Sequence, residues 1–290
     1  PLQRWDQLRN FAERAALFQG SGHPDVAKIR QWHLDRGFAG AITLRERDAP
    51  GEEGGVVPWP AHSSDRSECY YVYYELTGRG RRVQHVFIRG SCKPEDVFEN
   101  LMFAKDWDEE LGCQLHHGFR RRAGQILESL EALLDPQAEI TLSGHSLGGA
   151  VATIVGMRLL ERGYNVQEVV TFGAPKVTDR AGAQSSAIGE RVLRVTNTLD
   201  PVPLLPFGFC TPFSGPFTHL GAQLLLLPGD RPGAYCYLGS RAASSPWVGS
   251  FLLHAQAPHH LGGLPAWLRY HRMPSYRLLM APMAADPRAG

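Results

Sequence analysis

The sequence is short of several things, and each shortage removes a class of function. It has almost no charge imbalance: 30 Lys and Arg stand against 29 Asp and Glu, for a formal net charge of +1. No extended Lys/Arg run breaks that balance, which argues against a nucleic-acid binder. Long apolar runs are missing too; "LLLL" at Leu224 to Leu227 is the length of a core strand, far short of a bilayer span. The five cysteines, Cys69, Cys92, Cys113, Cys210 and Cys236, are odd in number and scattered. They match neither a disulfide framework nor a zinc pattern, so most are expected to be buried or idle thiols. The N-terminus lacks a basic stretch followed by an apolar core, so no signal peptide is visible. A chain starting at Pro1 is expected to be a processed form, which leaves a removed export signal open.

What is present suits a soluble globular protein. Of 290 residues, 43% are hydrophobic and 20% charged, enough for one large α/β domain or two small ones. Trp5, Leu8, Phe11, Ala12, Ala15 and Ala16 recur at helical spacing, and "HPDVAKIRQWHLDRGF" predicts a second helix, so residues 1–40 read as a helical segment packing on the rest. A Gly/Pro/acid-rich surface loop follows, then two strand-like runs, "CYYVYYEL" and "RRVQHVFIRG", joined by "TGRG". "GFRRRAGQILESLEALL" places Phe119, Ala123, Ile126, Leu127, Leu130, Leu133 and Leu134 on one helical face, closed by Asp135-Pro136. Thereafter strands "EITLS", "EVVTFG" and "RVLRVTN" alternate with helices. That alternation predicts a largely parallel sheet with right-handed crossovers and helices on both faces. No linker divides the chain, and Gly229 to Gly263 reads as a loop.

The chemistry concentrates at "ITLSGHSLGGAVAT", Ile140 to Thr153. An apolar β-branched run enters a turn with a serine between glycines and leaves as a helix. Such a strand-to-helix turn needs neighbours without bulk and exposes Ser146 at the top of a sheet, with the Leu147 N–H as an oxyanion donor. A serine hydroxyl needs a base, and the base an orienting acid. In sheets of this kind the chain order is Ser, Asp/Glu, His. Asp200 ends the strand "RVLRVTN" and stands where α/β sites form, whereas Asp179 and Asp230 sit among turn residues. Five histidines follow Asp200 (His219, His254, His259, His260 and His271), and spacing alone does not choose among them.

The stretches "VFIRGS", "LHHGF", "ITLSGHSLGGA", "VVTFGAPKV", "RVTNTLDPVPLLP", "FTHLGAQL" and "HRMPSY" occur here in the order found in class 3 (fungal-type) lipases. The chain resembles that family over about two thirds of its length, which implies a single α/β-hydrolase domain across 1–290. The resemblance puts the nucleophile on Ser146, the acid on Asp200 and the base on His271. Tyr276 matches the family's D-H-x-x-x-x-Y pattern, and Tyr270 replaces the usual acid before the base. His219 matches a family histidine that is not the base. A second oxyanion donor falls on Ser91. The segment after it presents Val97, Phe98, Leu101 and Met102 on one helical face, which the resemblance makes an amphipathic lid over the site. The implied activity is ester hydrolysis on acylglycerols at a lipid–water interface, with no metal or organic cofactor. Two other readings share the resemblance: the same triad acting on phospholipids, galactolipids or in acyl transfer, and a catalytically silent lipase-like interaction domain.

Overall fold

The computed structural model describes residues 2–17, 31, 35, 42–45, 70–76, 82–90, 104–206, 215–228, 234–240 and 269–280. The expected second helix, the acidic surface loop, Ser91, the four lid positions and most of the 229–263 stretch lie outside these residues.

Helix α1 (Leu2–Leu17) comes first, then strands β1 (Ile42–Arg45), β2 (Tyr70–Leu76) and β3 (Arg82–Ile88). A short hairpin follows, β4 (Lys105–Asp108) and β5 (Cys113–His116), leading into α2 (His117–Leu130). Next come β6 (Glu139–His145), α3 (Leu147–Glu161), β7 (Val166–Phe172), α4 (Arg180–Ser185) and β8 (Val192–Asn197). Strands β9 (Ala222–Leu226) and β10 (Tyr235–Leu238) and helix α5 (Met273–Leu279) complete the described elements. Among the described residues the main sheet has eight strands, in the order β1-β2-β3-β6-β7-β8-β9-β10. The run from β3 through β9 is parallel, and antiparallel pairs flank it on both sides. This is the largely parallel sheet that the alternating pattern predicts, in the α/β-hydrolase arrangement that the family resemblance implies.

Neither β1 nor α5 is predicted by the sequence pattern, and two further findings depart from the sequence reading. The β4–β5 hairpin was not anticipated, because "KDWD" is charged and its anchoring is not local. Asp108 is buried and accepts from Arg158 Nη2 (2.6 Å) on α3, Arg120 Nε (2.9 Å) on α2 and its own turn through Leu111 N (3.1 Å). The expected loop from Gly229 also contains a strand, β10, which pairs antiparallel with β9 at the sheet edge. Tyr235 and Tyr237 on one face and Cys236 on the other are all exposed, so neither alternation nor burial marks it.

Alternate side chains of the central strands feed two cores, as the pleat requires. Val86, Ile88, Ile140, Leu142 and Val169 meet the apolar faces of α2 and α3. Phe87, Val170, Phe172, Val195, Leu224 and Leu226 meet α1 and α5 on the other face, through Leu8, Phe11, Ala12, Met273 and Tyr276. Helix α3 is buried on every side from Leu147 to Leu159, which fits a sequence without a polar stripe. It ends at Gly163, with φ of 84°. There Gly163 N donates to Leu160 O (3.0 Å) and Tyr164 N to Leu159 O (2.9 Å), closing the last turn. The rigid β6–α3 unit holds the turn between them in place.

Candidate active site

That turn is built by close approach. A Cβ on Gly90 would lie 2.6 Å from His145 O and 3.4 Å from Ser146 Cβ, and one on Gly148 would strike the backbone of Ile88, Arg89 and Gly90 at and just after the end of β3. Glycine at 90, 144 and 148 therefore lets β3, β6 and the start of α3 converge. Ser146, between them, has φ 58° and ψ −131°, the only non-glycine residue with positive φ among those described. Such a backbone costs about 1–3 kcal/mol. One fully buried side chain of α3, such as Ile154 or Leu159, contributes a comparable amount, about 1.5–3 kcal/mol. The helix that follows can hold the turn in its strained form.

Three side chains meet above it. Ser146 Oγ lies 2.8 Å from His271 Nε2, and His271 Nδ1 lies 2.8 Å from Asp200 Oδ2. An ionised carboxylate only accepts, so Nδ1 carries the proton and Nε2 is left to accept from the hydroxyl. All three residues are buried. Asp200 is also held by Val202 N, which donates to Oδ1 (2.9 Å), and by the Tyr276 hydroxyl, which donates to Oδ2 (2.5 Å). Burial, then the neighbouring Asp200 charge, pushes the Tyr276 phenol well above its ordinary range, so it stays a donor. Leu147 opens α3, where first-turn amides have no carbonyl partner within the helix.

Of the five downstream histidines, the structure brings His271 to Ser146 and places His219 elsewhere. His219 Nε2 donates to Pro203 O (2.6 Å) in the segment after Asp200. Lys176 Nζ donates to Leu204 O (2.6 Å) and Pro206 O (3.2 Å) in the same segment. Burial, and secondarily Arg194, lowers the Lys176 pKa to about 8. His254, His259 and His260 lie outside the described residues. Cys113 is buried and Cys236 exposed, both as free thiols. Among the described residues no group of His, Cys, Asp and Glu side chains is arranged to hold a metal ion.

Sequence reasoning missed three contributors. His145 and Asn197 hold the main chain around His271, and Gly173 packs against the site. With φ of 58°, Gly173 would present a Cβ 2.6 Å from Asp200 Oδ2 and 2.7 Å from the Tyr276 hydroxyl. Tyr276 was a motif match whose contact could not be read. These residues are joined to their targets only by the fold.

The class 3 lipase family model matches residues 85–209. Over 155 residues the chain is 31% identical to secreted mono- and diacylglycerol lipase 1 of Fusarium solani, covering 47% of this chain and 44% of that protein. Over 188 residues it is 36% identical to phospholipase A1 EG1, chloroplastic/mitochondrial, of Oryza sativa subsp. indica, covering 51% and 43%. The chain thus spans less than half the length of these curated relatives. Among solved structures, lipase II from Rhizopus niveus shares the fold, with a TM-score of 0.58, 19% identity and coverage of 85% of this chain and 91% of that one.

Proposed function

We propose that this chain, whose residues 85–209 match the class 3 lipase family model, is a member of that family and a serine carboxylic ester hydrolase acting on acylglycerols. The observation that carries the reading is the unbroken hydrogen-bonded line from Ser146 Oγ through His271 to Asp200 Oδ2. Ser146 attacks the ester carbonyl while His271 Nε2 takes its proton. Asp200 keeps Nδ1 protonated and stabilises the imidazolium. The Leu147 N–H receives the developing oxyanion. The alcohol leaves with the proton from Nε2. Water then enters by the same base and releases the acid, restoring Ser146.

Ser91 is the second oxyanion donor in this reading. Its support is that Gly90, the preceding residue, abuts Ser146. The amphipathic spacing of Val97, Phe98, Leu101 and Met102 supports a lid that opens at a lipid surface. If so, turnover rises once a sparingly soluble ester exceeds its solubility, and Phe98→Asp flattens that rise while sparing a short soluble ester. A smooth saturation curve for both proteins overturns the lid.

A phospholipase A1 reading uses the same triad and is favoured by the 36% identity to the rice enzyme. A p-nitrophenyl ester chain-length series, run beside mono-, di- and triacylglycerol and phosphatidylcholine, separates the two. The control is Ser146→Ala, expected to lose at least roughly 10⁴-fold in turnover and all labelling by a fluorophosphonate. Unchanged turnover in that variant removes the enzyme reading and leaves a lipase-like interaction domain. No helix among the described residues is long and apolar enough to cross a membrane.

A further inference from the structure

The main chain of the base is held as firmly as its ring. Successive carbonyls, those of Tyr270 and His271, each accept a side-chain N–H from a different strand end. Asn197 Nδ2, at the end of β8, donates to Tyr270 O over 3.0 Å. His145 Nε2, at the end of β6, donates to His271 O over 2.6 Å in a buried contact. A carbonyl can only accept, so this Nε2 carries a proton.

His145 is also the residue immediately before Ser146. The two imidazoles lie 4.6 Å apart between centroids, inclined by 34°, with the Tyr276 ring edge-on at 6.0 Å from His145. That closeness sets a condition. During acyl transfer His271 carries a positive charge, and a second imidazolium at this separation in a buried site would oppose it. His145 meets the condition: burial, and then the proximity of His271, holds its pKa well below the ordinary value. It remains a neutral donor while its neighbour changes charge.

We propose that His145 is a positioning residue for the base: its Nε2–H ties the His271 main chain to the same short turn that carries the nucleophile. The distance between Ser146 Oγ and His271 Nε2 is then set by two adjacent residues, the last of β6 and the one after it, although 125 positions separate serine from base in the chain. This role rests on the ester hydrolase reading above. It identifies a chemical need at position 145: a neutral N–H donor of imidazole reach.

The test uses three variants of the full chain. His145→Leu removes the donor at similar bulk, His145→Gln keeps an amide N–H near the reach of Nε2, and His145→Asn keeps the amide but shortens the reach. The readouts are kcat and KM on a short soluble p-nitrophenyl ester, the rate of fluorophosphonate labelling of Ser146, and Tm. A displaced base slows proton transfer without loosening ground-state binding. His145→Leu should therefore lose roughly 10- to 100-fold in kcat with KM within about twofold, and labelling should slow in parallel. His145→Gln should recover most of that loss, and His145→Asn much less, even if the Leu variant folds poorly. Equal kcat in all variants, or equal losses in Gln and Asn that track Tm, overturns the positioning role while leaving the hydrolase reading in place. A folded wild-type protein that neither cleaves esters nor takes up the probe overturns both.

Discussion

Tyr276 and His271 donate to the same oxygen of Asp200, Oδ2, from 2.5 Å and 2.8 Å. One carboxylate oxygen is therefore shared between the imidazole proposed as the base and a phenol that stays protonated. The phenol partly satisfies the carboxylate and fixes the plane in which it faces the imidazole.

Tyr276→Phe should lower kcat roughly tenfold, in keeping with about 1.5 kcal/mol for one charge-assisted bond among several. KM should hold, because the ring's edge-to-face packing on Phe172 is retained. Steady-state kinetics beside a thermal melt decides; a variant with wild-type kcat shows that the Val202 amide and His271 suffice to orient Asp200.

Gly173→Ala should be more damaging than its size suggests. The added methyl enters a space bounded by Asp200 Oδ2 and the Tyr276 hydroxyl, on a backbone with positive φ. A non-glycine residue in the left-handed region costs about 1–2 kcal/mol by itself, and the carboxylate must also move. The expected outcome is a kcat loss of at least roughly tenfold with a measurable drop in Tm. Crystallography of the variant should show Asp200 displaced.

Much of this arrangement is legible in sequence, and the boundary is physical. The Gly144–Gly148 turn announces itself because bulk is excluded locally. The α2 face follows from a 3.6-residue period, and the stop of α3 from Gly163. Asp200 is marked by its place after a strand. The base is different: nothing near His271 distinguishes it from four other histidines, and only the family resemblance favours it. Asp108, Tyr276 and His145 act on partners 50, 76 and 126 residues away, a distance no local pattern spans. Ser91 and the lid positions fall outside the described residues and stay expectations.

Acid sensitivity should trace in part to His116. Its ring is buried, stacked on Phe119 at 3.9 Å, with no hydrogen-bond partner for either nitrogen. Burial, with the charge of His117 adding to it, lowers its pKa to about 4 from 6.5. Between those values the unfolded chain binds the proton and the folded one does not, so stability rises with pH across that window and falls on acidification. The loss by pH 4 is about 3 kcal/mol for this group. Urea unfolding of His116→Phe at pH 7, 5.5 and 4.5 should show a shallower decline than wild type. Parallel curves would mean that other groups carry the acid dependence.

Asp108→Asn should destabilise by about 1–3 kcal/mol, the cost of weakening buried charge-assisted hydrogen bonds, because Arg158 keeps a second carboxylate, Glu110, at 3.6 Å. Its Arg158 partner is only 10% exposed and has little access to water. Equilibrium denaturation measures this directly. The double variant Asp108→Asn/Arg158→Met should regain part of the loss, since the buried guanidinium that has lost its 2.6 Å partner is then gone as well.

The order in which the site's parts occur along the chain has a consequence during synthesis. Ser146 and Asp200 follow the ends of two strands of the parallel sheet, β6 and β8, while His271, Tyr276 and the packing of α5 arrive only with residues 269–280. Chains fold progressively as they emerge. A nascent chain halted before residue 269 has its strained serine turn and a buried carboxylate with neither of its two side-chain donors. On the proposed mechanism such a chain should be inert towards esters however well its sheet is formed. Competence thus appears in one step, when the last described helix docks against β7 and β8, and an activity assay on arrested chains of increasing length would register it as a threshold.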